Sequence, residues 1–370
     1  MRVDLVDPPA YTPPYDHALA TALAAEGART TLVTSRFGYG PVPEARGYAV
    51  DERFYRLQRG APGSRQRRAA RLAQHVPDML AYRAAAHRRA DVVHLQWLTV
   101  QPLDVHLLPR GRRATLLTAH DVLPREPRRG QLTAQRRLLE RVDGVVVHSE
   151  HGRERLTGEL GLDPGRVHVV PHGAFEHLTA VPGEEPLPCE LRAVPAERPV
   201  VLCFGLLRPY KGLDVLLEAW RGIEDAELWI VGMPRMDTAV LRAAAPPGVR
   251  WHLGFVTDAQ VAGFFRRADL VVLPYREIDQ SGVLSTALAF ASPIVLSAVG
   301  GFPEVARTGA AALVAPGDPS ALHARLRALL ADQAERDRLG AAARAAATGP
   351  YAWGSVARRT LALYREVAGA

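Results

Sequence analysis

Lysine is nearly absent from this chain of 370 residues: of its 46 basic side chains, 45 are arginine and one, Lys211, is lysine. Arginine presents a wide planar fork, whereas lysine presents a compact ammonium on a flexible stem. Because arginine stands at every other basic position, a lysine kept here indicates a function that arginine cannot perform, the alternative being that one lysine has persisted by chance. Lys211 is therefore the first candidate for a functional residue.

Cysteine and long apolar runs are scarce as well. With only Cys189 and Cys203, the chain has no basis for a disulfide framework. Its apolar runs fall short of the roughly 18 residues that a membrane-spanning helix needs. Residues 1–7 also lack the basic-then-apolar pattern of a signal peptide. These absences predict a cytoplasmic protein.

Several motifs of nucleotide and metal chemistry are missing. The sequence has no Gly-x-Gly-x-x-Gly, no Walker A motif, no His-Glu-x-x-His, no nucleophile elbow and no Asp-x-Asp. Without an Asp-x-Asp, no carboxylate clamp for a metal–nucleotide complex is evident. If the chain binds a diphosphate, its own cations must neutralise the charge, which predicts that no metal is required.

The surroundings of Lys211 are typical of a phosphate site. Residues 199–204 have the pattern of a buried parallel strand that ends at Gly205, and residues 212–220 have apolar residues at helical spacing. Arg208 and Lys211 then lie between the carboxyl end of a strand and the N-terminus of a helix. Open α/β sheets bind ligands there, and the helix terminus favours anions. We expect the two cations to bind a diphosphate.

A second candidate loop follows the predicted strand 269–273. It carries polar residues just before a helix that is predicted to start at Gly282. The candidates for ligand contact are Asp279, Gln280, Ser281, Gly282 and Val283. Ser281 suits a plain helix cap, and the same position suits contact with a hydroxylated ligand.

A third candidate loop contains Gly300, Gly301 and Glu304, after the predicted strand 293–296. Paired glycines let the backbone approach a ligand closely. In the first half of the chain, His120 follows the predicted strand 114–118. A histidine in that position is either structural or in contact with a reacting group, and both interpretations stay open.

Strands and helices are predicted to alternate along both halves, which indicates an α/β protein with two doubly wound parallel sheets facing each other across a cleft. The predicted strands are 3–6, 30–34, 91–95, 114–118, 144–147 and 167–170, then 200–204, 227–231, 249–253, 269–273, 293–296 and 312–314. Helices are predicted over 16–26, 320–346 and 353–367, and over Arg65–Arg89 with a break near Pro77. The predicted domains are 1–175, a linker 176–198 rich in Pro and Glu, 199–350, and a C-terminal helix in 351–370.

The net charge is +7, and much of the excess is local, in the runs 65–71, 87–89 and 125–137. Such runs form solvated helix faces or meet anionic lipid headgroups, so peripheral contact with the inner membrane face is one expectation. No aromatic residues interleave the runs as a groove for single-stranded nucleic acid requires. Nucleic acid is therefore not expected as a partner.

These blocks, in their order, resemble the retaining glycosyltransferases of the GT-B fold, specifically family 4. The second half carries most of the resemblance, in the blocks Phe204-Gly205 to Lys211-Gly212, Gly254-Phe255-Val256, Leu273-Pro274-Tyr275, Ser281-Gly282 with Ala287-Leu288-Ala289, Gly300-Gly301-x-Pro303-Glu304 and Pro316-Gly317-Asp318. The tail from Tyr351 to Tyr364 is similar to the final helix of the family, which crosses back to the N-terminal domain.

The resemblance implies a hexosyltransferase that takes its sugar from a nucleotide-diphosphate-sugar donor such as a UDP- or GDP-sugar, bound mainly by the C-terminal domain. Arg208 and Lys211 match the diphosphate-binding pair of the family, and the Gly254-Phe255-Val256 loop matches its base-contacting region. His120 matches a histidine near the donor sugar. The acceptor would bind in the N-terminal domain, around the loop that contains Pro9, Tyr11 and Tyr15. A front-face mechanism, in which donor phosphate takes the acceptor proton, is implied as well.

The chain departs from the family at two glutamates separated by seven residues. Their positions are Ile278 and Thr286 here. Glu277 or Asp279 can replace the first glutamate by a one-residue shift, but Thr286 does not mimic a carboxylate, so ribose binding has no assigned residue. The loop Asp7-Pro8-Pro9 also stands where many relatives have glycines.

Three other functions remain open from the sequence. The missing glutamates motivate a non-catalytic nucleotide-sugar-binding protein. A nucleotide-sugar epimerase has the same fold and would turn over the donor without an acceptor. A nucleic-acid-binding protein is motivated by the basic charge alone.

Overall fold

The computed structural model describes residues 1–61, 63–109, 113–124, 129–181, 183 and 185–369. The chain forms two compact units, one of Met1–Pro171 with Trp353–Ala370 and the other of His172–Ala352. Each unit is built on one sheet in which every described strand pair is parallel. The predicted α/β architecture of two doubly wound sheets is confirmed.

The strands, numbered in chain order, are β1 (Arg2–Asp7), β2 (Arg29–Ser35), β3 (Ala49–Phe54), β4 (Val92–Leu95), β5 (Ala114–Thr118), β6 (Gly144–Val147), β7 (Val167–Val169), β8 (Val200–Phe204), β9 (Glu227–Gly232), β10 (Val249–Leu253), β11 (Leu270–Leu273), β12 (Ile294–Ser297) and β13 (Ala311–Val314).

The helices are α1 (Pro13–Ala25), α2 (Arg65–Arg89), α3 (Gln101–Leu107), α4 (Gln131–Leu139), α5 (Glu150–Glu159), α6 (Cys189–Arg192), α7 (Leu213–Trp220), α8 (Ala239–Ala243), α9 (Asp258–Arg267), α10 (Gly282–Ala289), α11 (Phe302–Ala306), α12 (Pro319–Ala331), α13 (Gln333–Thr348) and α14 (Trp353–Ala368). Short 3-10 turns occupy Pro164–Arg166, Glu176–Ala180 and Pro209–Lys211.

The first sheet has the strand order β3-β2-β1-β4-β5-β6-β7. From β1 the chain moves outward to β3, returns to place β4 beside β1, and then moves outward in the other direction. The strand order therefore reverses between β1 and β4, where Val6 pairs with Leu95. Ligands of open α/β sheets bind beyond the carboxyl ends of the strands at such a reversal.

The second sheet repeats this plan with the order β10-β9-β8-β11-β12-β13. Its reversal lies between β8 and β11, where Val271 pairs with Leu202. The loops that follow β8 and β11 thus start from neighbouring strands, although β8 ends at Phe204 and β11 ends only at Leu273. This neighbourhood brings the loop of Lys211 beside the loop that contains residues 279–283.

Both sheets are covered on their two faces, as their continuous apolar strands predict. In β8, Val201 and Cys203 pack on one face with Leu216 and Trp220 of α7, while Val200 and Leu202 join the core on the other face. In the first unit α14 packs against α1, where Tyr364 is fully buried. The C-terminal helix is therefore part of the first unit.

Four details differ from the sequence expectations. Helix α2 continues through Pro77 without a break, since Met79 and Tyr82 beyond it remain buried in the core. Strand β3 was not predicted, because its sequence AVDERF is polar and its residues are largely exposed at the sheet edge. The predicted helix 320–346 is two helices, with Asp332 capping the second.

The fourth detail concerns the segment 176–198, for which the sequence predicts a linker. Its described residues lie inside the second unit, where Leu178, Leu191 and Val194 are buried in the core. Residues 182 and 184 of this segment and residues 125–128 of the predicted basic run 125–137 lie outside the described residues. Within the described part of the chain, no helix has the length and apolar character to span a membrane.

Candidate functional site

Lys211 lies in the loop that follows β8, in a 3-10 turn just before α7. Only 3% of the residue is exposed. Its Nζ donates to the Phe204 carbonyl oxygen at 3.0 Å and to the Tyr275 hydroxyl at 2.7 Å. The ammonium also lies 4.7 Å from the centroid of the Tyr275 ring, within the range of a cation–π contact. The one lysine of the chain is thus held at a fixed point beyond the carboxyl end of β8.

Arg208 begins the same turn but has an exposed side chain. Among the described residues it makes no side-chain hydrogen bond or ion pair. The neighbouring cation Arg276 differs, because it forms an ion pair with Asp214 at 2.5 Å. Arg208 is therefore available to an anionic ligand, whereas the charge of Arg276 is already balanced.

Two glycines make this loop possible. Gly212 has φ of 65°, and a Cβ there would lie 2.1 Å from the Pro274 carbonyl oxygen. Gly205 has φ of 104°, and a Cβ there would lie 3.0 Å from Lys211 Nζ. Only glycine combines a left-handed backbone with such close approach. The β8 loop thus touches the β11 loop and leaves room for the ammonium.

The loop after β11 leads into α10, as predicted. Ser281 caps the helix, and its side chain accepts the Leu284 N–H at 3.4 Å. Gln280 is half-buried, and its Oε1 has no hydrogen-bond partner within the described part of the chain. Asp279, Gly282 and Val283 lie beside them and are half-buried. The predicted polar cluster is therefore assembled at the end of β11, next to the Lys211 loop.

The two positions that depart from the family pattern have structural roles. Ile278 is buried in the core of the second unit. The Thr286 hydroxyl donates to the Gly282 carbonyl oxygen of its own helix at 2.9 Å. Glu277, the neighbour of Ile278, is exposed, and Asp279 on the other side is half-buried. Of these two carboxylates, Asp279 is thus the better candidate to replace the first glutamate of the family pattern.

The loop after β10 contains Gly254, Phe255 and Val256. Phe255 is 65% exposed, and a Cβ at Gly254 would meet open space. Thr257 then closes the loop with a capping box at the start of α9. An exposed aromatic ring on a short loop suits stacking against a planar ligand group.

The paired glycines after β12 have a packing role. Gly300 has φ of 54°, and a Cβ there would lie 1.6 Å from the Ile278 carbonyl oxygen. The close approach at this position is therefore to the β11 loop. Gly301 precedes α11, and Glu304 lies in the first turn of that helix, half-buried.

In the first unit, three neighbouring strands end in a cluster of polar rings. Gln96 and Trp97 follow β4, His120 follows β5 and His148 follows β6. The Trp97 and His120 rings stack with centroids 4.9 Å apart, and Tyr15 meets His120 edge-on at 4.7 Å. His120 is buried and packs against both of these rings.

The hydrogen bonds of this cluster fix the proton positions. Burial lowers the pKa of His148 to about 4, so its ring is neutral near pH 7. His148 Nδ1–H donates to the Val170 carbonyl oxygen at 2.9 Å, and His148 Nε2 accepts from His120 Nδ1–H at 3.2 Å. His120 Nε2 lies 3.2 Å from Gln96 Oε1, and the Gln96 NH₂ has no hydrogen-bond partner within the described part of the chain.

The loop after β1 carries a pair of buried carboxyl groups. Asp7 Oδ2 accepts the Tyr11 N–H at 2.6 Å, and the Asp7 and Asp16 side chains are hydrogen-bonded to each other. Burial raises the pKa of Asp7 to about 6, and burial with the Asp7 charge raises the pKa of Asp16 well above its usual range. The pair therefore shares a proton near neutral pH.

This carboxyl pair connects to the ring cluster. Trp97 Nε1–H donates to the Thr12 hydroxyl at 2.8 Å, and Thr12 is hydrogen-bonded in turn to Asp16. Tyr11 is exposed and packs on Trp97 with centroids 4.5 Å apart. The loop of Pro9, Tyr11 and Tyr15 is thus tied to the end of β4.

A cavity of about 210 Å³ adjoins the loop on the side of β2. Its polar lining consists of Asp16, His17, Thr34, Ser35 and Glu52. Burial lowers the pKa of His17 to about 4, so this ring is neutral. Neutral and acidic groups of this kind suit the hydroxyl groups of a ligand.

The predicted site residues therefore fall into two groups, one in each unit. Arg208, Lys211 and the residues 279–283 share the edge at β8 and β11, while Pro9, Tyr11, Tyr15 and His120 share the edge at β1, β4 and β5. Sequence reasoning missed the partners that complete them, which are Gln96, Trp97, His148, Asp16 and Tyr275. One signal was available, since Gln96 and His148 also follow apolar strands. Among the described residues no group of three His, Cys, Asp or Glu side chains is placed to hold a metal ion.

Both units are similar to known glycosyltransferases. The family model for glycosyltransferase family 4 matches residues 15–174, and the model for glycosyl transferases group 1 matches residues 198–332. The D-inositol 3-phosphate glycosyltransferase of Xylanimonas cellulosilytica is 32% identical over 315 residues, which cover 77% of this chain and 74% of the relative. The GDP-mannose:glycolipid 4-beta-D-mannosyltransferase of Xanthomonas campestris pv. campestris is 29% identical over 248 residues, which cover 59% of this chain and 64% of that protein.

Solved structures show the same architecture. The crystal structure of Anabaena HepE in complex with UDP-glucose superposes with a TM-score of 0.74 and 17% identity, over 99% of this chain and 100% of HepE. At that identity the likeness concerns the fold. The sequence relatives and the family models carry the assignment further: this chain belongs to the group 1, family 4 glycosyltransferases and has their GT-B fold.

Proposed function

We propose that this glycosyltransferase is a retaining, metal-independent hexosyltransferase, and that its second unit binds the diphosphate of a nucleotide-sugar donor through Arg208 and Lys211. The observation that carries the proposal is the β8 loop, where a buried, fixed ammonium and an exposed arginine precede the N-terminus of α7. Cations at a helix N-terminus match the charge and size of a diphosphate. Their positive charge would also stabilise the departing nucleoside diphosphate.

The remaining donor contacts are proposed on the same edge. Phe255 and its neighbours Gly254 and Val256 would contact the base, because the ring is exposed and the backbone at Gly254 is open. The residues 279–283 and Glu304 would contact the sugars, since the first N–H groups of a helix such as α10 have no acceptor within the helix and Gln280 Oε1 has no hydrogen-bond partner among the described residues. HepE is bound to UDP-glucose and the Xanthomonas relative is named for GDP-mannose, so both UDP and GDP are candidate nucleotides.

The acceptor is proposed to bind in the first unit, at the loop of Pro9, Tyr11 and Tyr15. Tyr11 offers an exposed ring, and the adjoining cavity offers Asp16 and neutral His17 to hydroxyl groups. A sugar, a lipid-linked glycan or a small hydroxylated natural product meets that requirement. His120 would contact the donor sugar, as its match to the histidine of the family implies.

We also propose a cytoplasmic location, because both cysteines are free thiols. Burial raises the pKa of Cys203 to about 11, so this thiol is protected from oxidation. The arginines at the start of α2 are a candidate surface for anionic headgroups.

The first experiment is a thermal shift series with UDP, GDP, ADP, CMP and dTDP, in EDTA and again with Mg²⁺. A nucleotide that binds the native state raises the melting temperature by mass action. One nucleoside diphosphate should give a clear shift that EDTA does not remove. Absence of any shift would contradict the donor site, and a shift that requires Mg²⁺ would contradict metal independence.

Two arginine variants make the test specific. Arg208 and Arg221 are both exposed, but Arg221 lies at the other end of α7 and pairs with Glu218. Arg208→Ala should weaken binding of the nucleoside diphosphate roughly 10- to 100-fold, the range for a charged hydrogen bond. Arg221→Ala should leave binding unchanged. Equal affinities in the two variants would refute the role of Arg208.

The stereochemistry and the reaction class need a turnover assay. With the nucleotide identified, its hexose conjugates are incubated with hydroxylated acceptors, and proton NMR reads the anomeric configuration of the product. The same anomer as in the donor supports retention, and the opposite anomer refutes it. Conversion of the donor without an acceptor would favour an epimerase instead.

A further inference from the structure

The ammonium of Lys211 is held by a side chain from another loop. Tyr275 follows β11, and its hydroxyl accepts a hydrogen bond from Lys211 Nζ at 2.7 Å. Lys211 Nζ also donates to the Phe204 carbonyl oxygen at 3.0 Å, and Phe204 belongs to β8 itself. The two acceptors come from neighbouring strands of the sheet, so together they place the end of a four-carbon stem above the reversal of strand order.

Tyr275 is itself rigid. The residue is 1% exposed and belongs to the core of the second unit. Its ring packs against Phe302 of α11 with centroids 5.5 Å apart and meets Tyr210 edge-on at 5.7 Å. A hydroxyl on a ring fixed from two sides is a stable acceptor, so its position does not depend on a flexible chain.

The backbone around the ammonium also leaves the space that Lys211 Nζ occupies. A Cβ at Gly205 would approach Lys211 Nζ to 3.0 Å and the Val283 side chain to 2.9 Å, so glycine leaves the space that the ammonium occupies. The guanidinium of an arginine is planar and wider than an ammonium. The space beside Gly205 and the Tyr275 ring therefore suits lysine, in a chain that otherwise uses arginine.

We propose that Tyr275 is a positioning residue, whose hydroxyl holds the Lys211 ammonium where it binds the diphosphate of the nucleotide sugar. The inference rests on the proposed function, since it assigns a partner to the lysine of the donor site. A free lysine stem has many rotamers, and fixing it on binding costs conformational entropy. Tyr275 removes that cost in advance, so its loss should weaken the binding of phosphate-bearing ligands and leave the binding of a nucleoside unaffected.

The test compares Tyr275→Phe with Tyr82→Phe. Tyr82 is a fully buried tyrosine of the first unit, and its hydroxyl donates to Asp4 at 3.1 Å, so the control removes the same group from a bonded, buried ring. Calorimetric titration with UDP and with uridine gives the affinities. Tyr275→Phe should weaken UDP binding roughly three- to tenfold, the range for one hydrogen bond, with uridine unchanged. Tyr82→Phe should change neither affinity.

A spectroscopic readout uses the single lysine. Protein labelled with ¹⁵N at lysine Nζ gives one side-chain ammonium signal, because the chain contains one lysine. That signal should move on addition of UDP, should show nuclear Overhauser contacts to the Tyr275 ring in the wild type, and should shift in Tyr275→Phe. The wild-type measurements hold even if the variant does not fold. A signal without contacts to that ring, or unmoved by UDP, would overturn the proposal.

The variant Lys211→Ala distinguishes a failure of the proposed donor site from a failure of the proposed role of Tyr275. If Lys211→Ala binds UDP as the wild type does, the proposed donor site itself is wrong. If Lys211→Ala loses UDP binding while Tyr275→Phe retains it, the donor site stands and the positioning role of Tyr275 is refuted. Loss in both variants, with uridine binding retained, supports both.

Discussion

Replacement of Asp16 by asparagine should stabilise the first unit relative to the wild type, and by more at pH 8 than at pH 5. Asp16 is 2% exposed and shares a hydrogen bond with the fully buried Asp7. Asp7 accepts the Tyr11 N–H, which favours its ionised form, so Asp16 is the member that carries the proton. An asparagine amide imitates that protonated acid, because its NH₂ donates to Asp7 and its oxygen accepts from Thr12.

The direction of this change in stability with pH follows from proton linkage. The pKa of Asp16 in the folded chain is raised well above 3.8 by burial and by the Asp7 charge. At any pH between these two values the folded state binds a proton that the unfolded state has lost, so stability falls as pH rises. The slope is up to about 1.4 kcal/mol per pH unit for one proton. Over three pH units below the folded pKa of Asp16, the advantage of the variant therefore grows by as much as about 4 kcal/mol.

Asp7 makes stability decline with rising pH in both the wild type and Asp16→Asn. Burial raises its pKa from 3.8 to about 6, so the stability present below pH 4 declines by about 3 kcal/mol as pH rises through 6. The variant retains this decline, because Asp7 remains buried. The difference between the two proteins therefore isolates the Asp16 proton.

The assay is urea unfolding at pH 5, 6, 7 and 8, with a brief deuterium pulse and mass spectrometry of peptides from Arg2–Asp7 to report the first unit. Asp91→Asn is the matched control, since it also removes one carboxylate. Its ion pair with Arg2 lowers the pKa of Asp91, so the stability it contributes is constant above pH 5 and lost only in acid. A pH-independent difference between Asp16→Asn and wild type, or a less stable variant at pH 8, would refute the shared proton.

Three further predictions concern the two site edges. Lys211→Arg should fold normally but lose turnover roughly 100-fold, about 3 kcal/mol of transition-state stabilisation, in a donor-turnover assay; near-normal turnover would contradict the requirement for an ammonium. Gly212→Ala should lower stability by about 2–4 kcal/mol in urea unfolding, because its Cβ meets the Pro274 carbonyl oxygen, and an unchanged midpoint would disprove that packing. His148→Asn keeps a donor for Val170 but removes the acceptor for His120, so turnover should fall about tenfold with nucleotide affinity unchanged; weaker nucleotide binding instead would assign His148 a structural role.

The sequence was sufficient for most of the secondary structure because the signals are local. Apolar runs of four to six residues, separated by helical periodicity, marked every strand whose residues are buried. Strand β3 escaped because it lies at the sheet edge with polar residues exposed. Pro77 led to a predicted helix break that does not occur. Tertiary packing of Met79 and Tyr82 outweighs the backbone hydrogen bond that proline removes.

The candidate site was predictable to the same degree. The rule that ligands bind at the carboxyl ends of parallel strands selected Lys211, Arg208 and His120, and the structure places all three at such ends. The role of Gly300 could not be predicted, because its close approach to the Ile278 carbonyl depends on how two loops pack. A pattern of paired glycines does not reveal whether the backbone approaches a ligand or another loop.

The partners of these residues depend on strand order, which a local pattern does not contain. Lys211 and Tyr275 are 64 residues apart and meet because β11 returns to lie beside β8. His120 and His148 meet because β5 and β6 are neighbours. In each case one residue was selected from its own loop and its partner was not. The reversal of strand order therefore does more than open a crevice for a ligand: it brings a rigid side chain from a distant loop to Lys211, the residue that we propose binds the donor diphosphate.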